Sequence, residues 1–176
     1  MTYNNFNEQL AKEQNPEVQE HLTEFYLMYF SNYEVVSIDY NNPYGMFLQH
    51  AGVDKVLLKK YPNGNFKEQK FIQEKIVFSS YPNFLFEYER KSGAEGWAIS
   101  LDEKPDYLLY YMNGDIYIFY FEALRKWLRD NKELFIRKYR KDTDNKNFMI
   151  PIDYVMRTLN KENLNVIKFN KDLERL

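Results

Sequence analysis

Cysteine is absent from this 176-residue chain, which excludes a disulfide scaffold, a zinc–thiolate centre and thiol-based catalysis. Glycine and proline are scarce, six of each. No phosphate loop of the G-x-x-x-x-G-K type occurs, so Asn63-Gly64 and Asn113-Gly114 read as turns. Neither a G-x-S-x-G element nor a paired-His motif is present. No apolar run approaches the ~18 residues of a membrane span. The opening MTYNNFNEQLAKEQ lacks the pattern of a secretory signal, so a cytoplasmic protein with no membrane partner is expected. A global excess of positive charge is missing too: 24 Lys and Arg against 26 Asp and Glu give a formal charge of −2. Contact with a polyanion therefore has to come from a local patch.

Aromatic side chains, by contrast, abound: 16 Tyr, 14 Phe and 2 Trp. That content argues for a folded body rich in β-structure, and the length suits one domain, 1–176, with a real core. A polar arm over 1–15 ends at Asn15-Pro16, a natural helix start. From Glu17 to about Phe30, Val18, Leu22, Phe25, Tyr26 and Tyr29 recur on one helical stripe. Tyr33–Tyr40 reads as a strand and NNPYG as a turn or short loop. The runs Tyr107–Met112 and Ile116–Phe121 flank Asn113-Gly114, the strongest hairpin signal in the chain. A helix follows through FEALRKWLRDNKELFIRKYRK, with a polar interruption at DNKE. Phe148–Ile152 resembles a short edge strand because of Pro151. Asp153 caps a helix to about Leu159, and 160–176 is a polar tail. The expected fold is α/β: a mixed central sheet of about five or six strands, an N-terminal helix and C-terminal helices.

The stretch Gln49–Ser80 organises this plan. Val53–Lys60 and Phe71–Phe78 are aliphatic and β-branched runs, and Pro62, Asn63 and Gly64 between them are turn residues. Side chains alternate along a strand. Asp54, Val56 and Leu58 therefore share one side of the first strand; Phe71, Gln73, Lys75 and Val77 share one side of the second, with Glu74 on the other. A register that sets the start of one strand near the far part of its partner brings Asp54 to Gln73 and Lys75. A carboxylate, an amide and an ammonium on an otherwise apolar hairpin face cost burial energy unless paired or used. A structural Asp54–Lys75 ion pair is one such use. A one-residue slip or a bulge would exchange Glu74 for Gln73. His50 reads as a turn histidine bonding the backbone, or as a group at the mouth of a site. Phe84–Arg90 is a further strand, and its Glu87 lies between aromatic neighbours, an odd place for an idle carboxylate. Glu89-Arg90-Lys91 offers a second acid-x-Lys, set against the loop KSGAEG.

Asp54, the hairpin and Gln73-Glu74-Lys75 together resemble the signature of the PD-(D/E)XK nuclease-like superfamily, with Gln73 at the variable acidic position. More narrowly, GVDKVLL, FIQEKI, FLFEYER and a later GW resemble a group of small bacterial and phage proteins with that core. The likeness runs from the first helix to roughly residue 130. It implies a restriction-endonuclease-like core and metal-dependent hydrolysis of DNA or RNA with Mg²⁺ or Mn²⁺. Asp54 would then be the bridging ligand, with Gln73 ligating through its carbonyl oxygen or holding a metal-bound water. Glu87, or Glu20 of the first helix, would be a second carboxylate. Lys75 would orient the attacking water or stabilise charge on phosphorus, and Glu74 stands in reserve. Without that role, Glu17, Glu20 and Glu24 are a solvated acidic face near a helix start. Many members carry Asp or Glu where this chain has Gln73. A second expectation therefore stays open: a non-catalytic protein on the same scaffold that binds nucleic acid or a host protein, using its many Tyr and Phe.

Between Arg125 and Lys141 eight basic residues (Arg125, Lys126, Arg129, Lys132, Arg137, Lys138, Arg140 and Lys141) stand against Asp130 and Glu133, a net of +6 in an acidic chain. A solvated helix face is one reading of such a run. The local reversal of charge makes phosphate contact the other, carried by Arg125, Arg129, Lys132, Arg137, Lys138 and Arg140.

Overall fold

The side-chain carbonyl of Asn15 accepts the Glu17 amide at 2.8 Å, and Pro16 takes the first helical position, so helix α1 (Pro16–Tyr29) begins where the sequence predicts. The computed structural model describes residues 14–39, 41–78, 81–161 and 167–170; most of the predicted N-terminal arm lies outside them. Strand β1 (Glu34–Ser37) is shorter than the predicted run. Helix α2 (Pro43–His50) then occupies a stretch that reads as a turn and a lead-in. Asn42 accepts the Gly45 amide through its side chain, so Asn-Pro here is a helix cap and first turn, not a loop. The remaining elements are β2 (Lys55–Lys60), β3 (Phe66–Val77), β4 (Asn83–Glu89), β5 (Tyr107–Met112), β6 (Asp115–Tyr120), α3 (Phe121–Asp130), α4 (Lys132–Tyr139), β7 (Arg140–Asp142), β8 (Lys146–Pro151), α5 (Ile152–Lys161) and β9 (Ile167–Asn170).

Two sheets form. The larger has the order β1-β2-β3-β5-β6-β9, and the smaller β4-β8-β7. All pairs are antiparallel except β3 with β5, so the central sheet is mixed, as expected. A parallel pair needs a crossover. Here the crossover carries β4 and the loop through Trp97 onto one face of the large sheet. That face buries Leu108, Tyr110 and Met112 of β5 against Phe84 and Phe86 of β4, Leu124 and Leu128 of α3, Phe135 of α4, and Phe148 and Ile150 of β8. The opposite face buries Ile72, Leu109, Ile116 and Ile118 under Val18, Leu22, Phe25 and Tyr26 of α1. Each such side chain contributes about 1.5–3 kcal/mol by leaving water.

Three further differences have local causes. The long C-terminal helix is two helices, because the Asn131 amide and side chain both donate to the Trp127 carbonyl and end α3. Strand β8 is the middle of the small sheet and not an edge; Pro151 sits at its last position, opposite Asn83, where the missing amide interrupts no later rung. The polar tail contains β9, which pairs with β6 and brings Phe169 into the α1 core. Among the described residues no helix is long and apolar enough to cross a membrane.

Candidate functional site

The β2–β3 register pairs Lys55 with Ile72 and Val56 with Phe71. Asp54 lies one residue ahead of β2, and its amide donates to the Ile72 carbonyl at 2.8 Å, which continues the ladder and sets Asp54 opposite Gln73. The Asp54 Oδ2 accepts the Glu74 amide at 2.7 Å. This charge-assisted bond fixes the carboxylate to the β3 backbone. Gln73 and Lys75 alternate onto the same face, Gln73 buried and Lys75 half-buried. The Lys75 Nζ lies 5.0 Å from the centre of the Trp97 ring. It makes no ion pair among the described residues, so the structural Asp54–Lys75 salt bridge is not present. From β4, Glu87 accepts the Asn145 side-chain amide at 2.5 Å, and Arg90 Nε stands 3.8 Å from its other oxygen.

Asp54, Gln73, Lys75 and Glu87 therefore line one cleft open to solvent, about 560 Å³, together with His50, Arg90, Lys91, Trp97 and Glu103. Glu74 faces the other side of the sheet, as the alternation predicts, and its carboxylate accepts the Tyr26 hydroxyl at 2.5 Å. Burial, and then the adjacent Glu74 charge, push the Tyr26 pKa well up. Glu20 is exposed on α1, which covers that same far face, and it does not line the cleft.

In the basic run Lys126, Arg129, Arg140 and Lys141 are exposed and Arg125 is half-buried, and several of its arginines are engaged by the protein itself. Arg125 donates to the Ser100 and Glu103 carbonyls at 3.0 and 2.9 Å. Arg129 donates to the Ile99 carbonyl at 2.6 Å and to both Glu95 oxygens at 3.1 Å. Arg140 pairs with Asp142 at 2.6 Å, and Lys132 is half-buried. Arg137 and Lys138 are exposed. Arg125 and Arg129 thus act as struts that hold the 95–103 segment, and with it Trp97 and Glu103, against α3.

Glu103 and Arg90 are the cleft residues that sequence reasoning missed. Glu103 reads as one acid of a turn, DEKPD, and nothing local marks it. Yet it is 5% exposed, and one of its oxygens accepts from Arg90 at 3.1 Å. Burial raises its carboxyl pKa, against the opposing pull of Arg90 and Lys75. Two acceptor atoms in the cleft, Gln73 Oε1 and Glu103 Oε2, are buried with no hydrogen-bond donor among the described residues. In the same described set no group of three or more His, Asp or Glu side chains is gathered to hold a metal unaided. Mg²⁺ asks for less: one or two carboxylates, a neutral oxygen, and water or phosphate for the rest. The oxygen-only donors Asp54, Gln73 and Glu103 fit that requirement. Comparison of the chain with family models, curated proteins and solved structures gives no match.

Proposed function

We propose that this chain is a metal-dependent phosphodiesterase of the PD-(D/E)XK nuclease type, acting on DNA or RNA in the cytoplasm with Mg²⁺ or Mn²⁺. The observation that carries the reading is the meeting of Asp54, before β2, with Gln73 and Lys75 of β3 and Glu87 of β4 in one solvent-open cleft. Asp54, anchored to β3 by the Glu74 amide, is the carboxylate ligand in this reading. The Gln73 carbonyl supplies a neutral oxygen beside it. A divalent cation bound there lowers the pKa of a water and offsets phosphate charge. Lys75, carried over the Trp97 ring, stabilises charge developing on the phosphate oxygens. Lys91, exposed beside the cleft, takes a phosphate-contact role; Arg125 and Arg129 hold the 95–103 segment.

The test is cleavage of supercoiled plasmid and of single-stranded RNA with Mg²⁺ or Mn²⁺. Cutting that EDTA abolishes, and that Asp54→Ala and Lys75→Ala each reduce about 10²-fold or more, supports the proposal. The neutral Gln73 favours a second reading, a non-catalytic protein that binds nucleic acid or a host protein. Absence of cutting with either metal, beside a gel shift of the same nucleic acid, hands the site to that reading.

A further inference from the structure

We infer that Glu103, a residue outside the hairpin motif, forms the buried end of a divalent-cation site together with the Gln73 side-chain carbonyl and Asp54. The inference deepens the proposed function by naming a ligand that reading does not require. It stands on two side chains that are more than nine-tenths buried, Gln73 at 4% and Glu103 at 5% exposure. Each holds an acceptor oxygen with no donor among the described residues. While ionised, the Glu103 carboxylate cannot satisfy the Gln73 carbonyl, because both only accept. In that state what satisfies both at once is a proton-rich partner or a cation.

The surroundings narrow the choice. Arg90 reaches only one Glu103 oxygen, at 3.1 Å, and the Lys75 ammonium is held over Trp97. On the inner side the chain is closed by Gly52, at φ +73°. A Cβ there would lie 1.7 Å from Glu103 Oε2 and 3.2 Å from Gln73 Nε2. The backbone thus presses directly on both side chains, and a glycine is needed for them to fit. Gln73 and Glu103 line the cleft together with Asp54, which the Glu74 amide anchors. Two carboxylates balance the charge of a divalent ion, and a neutral carbonyl adds a third oxygen. With no sulfur and no imidazole in the set, the preference is for Mg²⁺ or Mn²⁺ over softer ions.

The experiment is calorimetric titration of the full chain with Mn²⁺, without nucleic acid, alongside the fluorescence of Trp97, which lines the cleft. Wild type is expected to bind one ion with a fluorescence change. Glu103→Gln, which keeps shape and removes charge, is expected to weaken binding about tenfold or more. Gln73→Glu, which replaces a neutral ligand by a charged one, is expected to tighten it, and it keeps the test decisive if Glu103→Gln fails to fold. Binding of equal strength in wild type and Glu103→Gln, or unchanged affinity in Gln73→Glu, overturns the inference while leaving a nuclease built on Asp54 intact. No Mn²⁺ binding by wild type also overturns it. Since ion binding is read without substrate, a protein that binds Mn²⁺ through Glu103 but cuts nothing refutes the nuclease reading and not this one.

Discussion

Replacing Gly96 with alanine should damage both the fold and the cleft, and the structure sets the scale. Gly96 lies against β4: a Cβ there would stand 2.3 Å from the Glu87 carbonyl oxygen, 2.5 Å from its carbon and 2.7 Å from Glu87 Cγ. Two of those atoms are backbone, so no rotamer change relieves the clash. The loop must lift, and the bonds at risk are Gly96 amide to Tyr88 carbonyl at 3.0 Å and Ala98 amide to Glu87 carbonyl at 3.1 Å. Overpacking of this kind costs about 1–3 kcal/mol, and each weakened backbone bond adds about 0.5–1.5 kcal/mol. A loss of about 3 kcal/mol lowers Tm by about 6–12 °C in a chain of this size. Gly93 in the same loop is the control. It has φ +83° but nothing within 4 Å of an added Cβ, so Gly93→Ala carries only backbone strain of about 1–2 kcal/mol, partly offset by a stiffer unfolded chain. Urea unfolding followed by far-UV circular dichroism measures both variants. Tryptophan fluorescence of the native state should move in Gly96→Ala alone, because Trp97 is adjacent. Equal stability of the two variants would refute the close-approach argument.

Tyr26→Phe removes the hydroxyl that holds Glu74 and should cost about 1.5–3 kcal/mol, read as a fall in urea midpoint at unchanged slope; an unchanged midpoint contradicts it. Ile72→Ala empties a fully buried position beneath α1 and should cost about 2–5 kcal/mol by the same measurement. Glu103 predicts a pH dependence. Burial holds its carboxyl above the ordinary glutamate range, so the folded chain binds that proton more tightly than the unfolded one. The resulting stabilisation is fully present below the unfolded pKa, about 4.3, and is lost as pH rises through the folded value. Glu103→Gln keeps the neutral form, so in metal-free buffer its stability relative to wild type should grow from about pH 4 toward neutrality. A difference in urea midpoint that is flat with pH contradicts this.

Asp54, Gln73, Lys75 and Glu74 were legible in the sequence because strand periodicity and one short turn decide their faces. Their placement is a local problem, and β2–β3 solves it in the expected register. Helix α2 was hidden because Asn-Pro is equally a turn signal and a helix start, and only the cap bond to Gly45 separates the two. Strand β9 depends on a partner about fifty residues away in β6, and no local pattern announces a pairing at that range. Glu103 is the instructive omission. Its burial comes from Gly52 on one side and from Arg125 gripping its carbonyl on the other, so its character is set entirely by tertiary contacts. The basic run is only partly legible for the same reason. Its charges can be counted in sequence, but whether Arg125 and Arg129 point to solvent or to the Ser100 and Ile99 carbonyls is decided by how α3 docks.

In the proposed function the charge at Lys75 serves chemistry in the cleft and does not hold the fold together. Lys75→Met tests it most directly, since methionine keeps an apolar stem against Trp97 and removes only the ammonium. Urea midpoint and metal-dependent cleavage rate are measured on the same preparation. The expected result is a midpoint equal to or above that of wild type and a cleavage rate lower by about 10²-fold or more. A midpoint that falls while cleavage continues at the parental rate contradicts it.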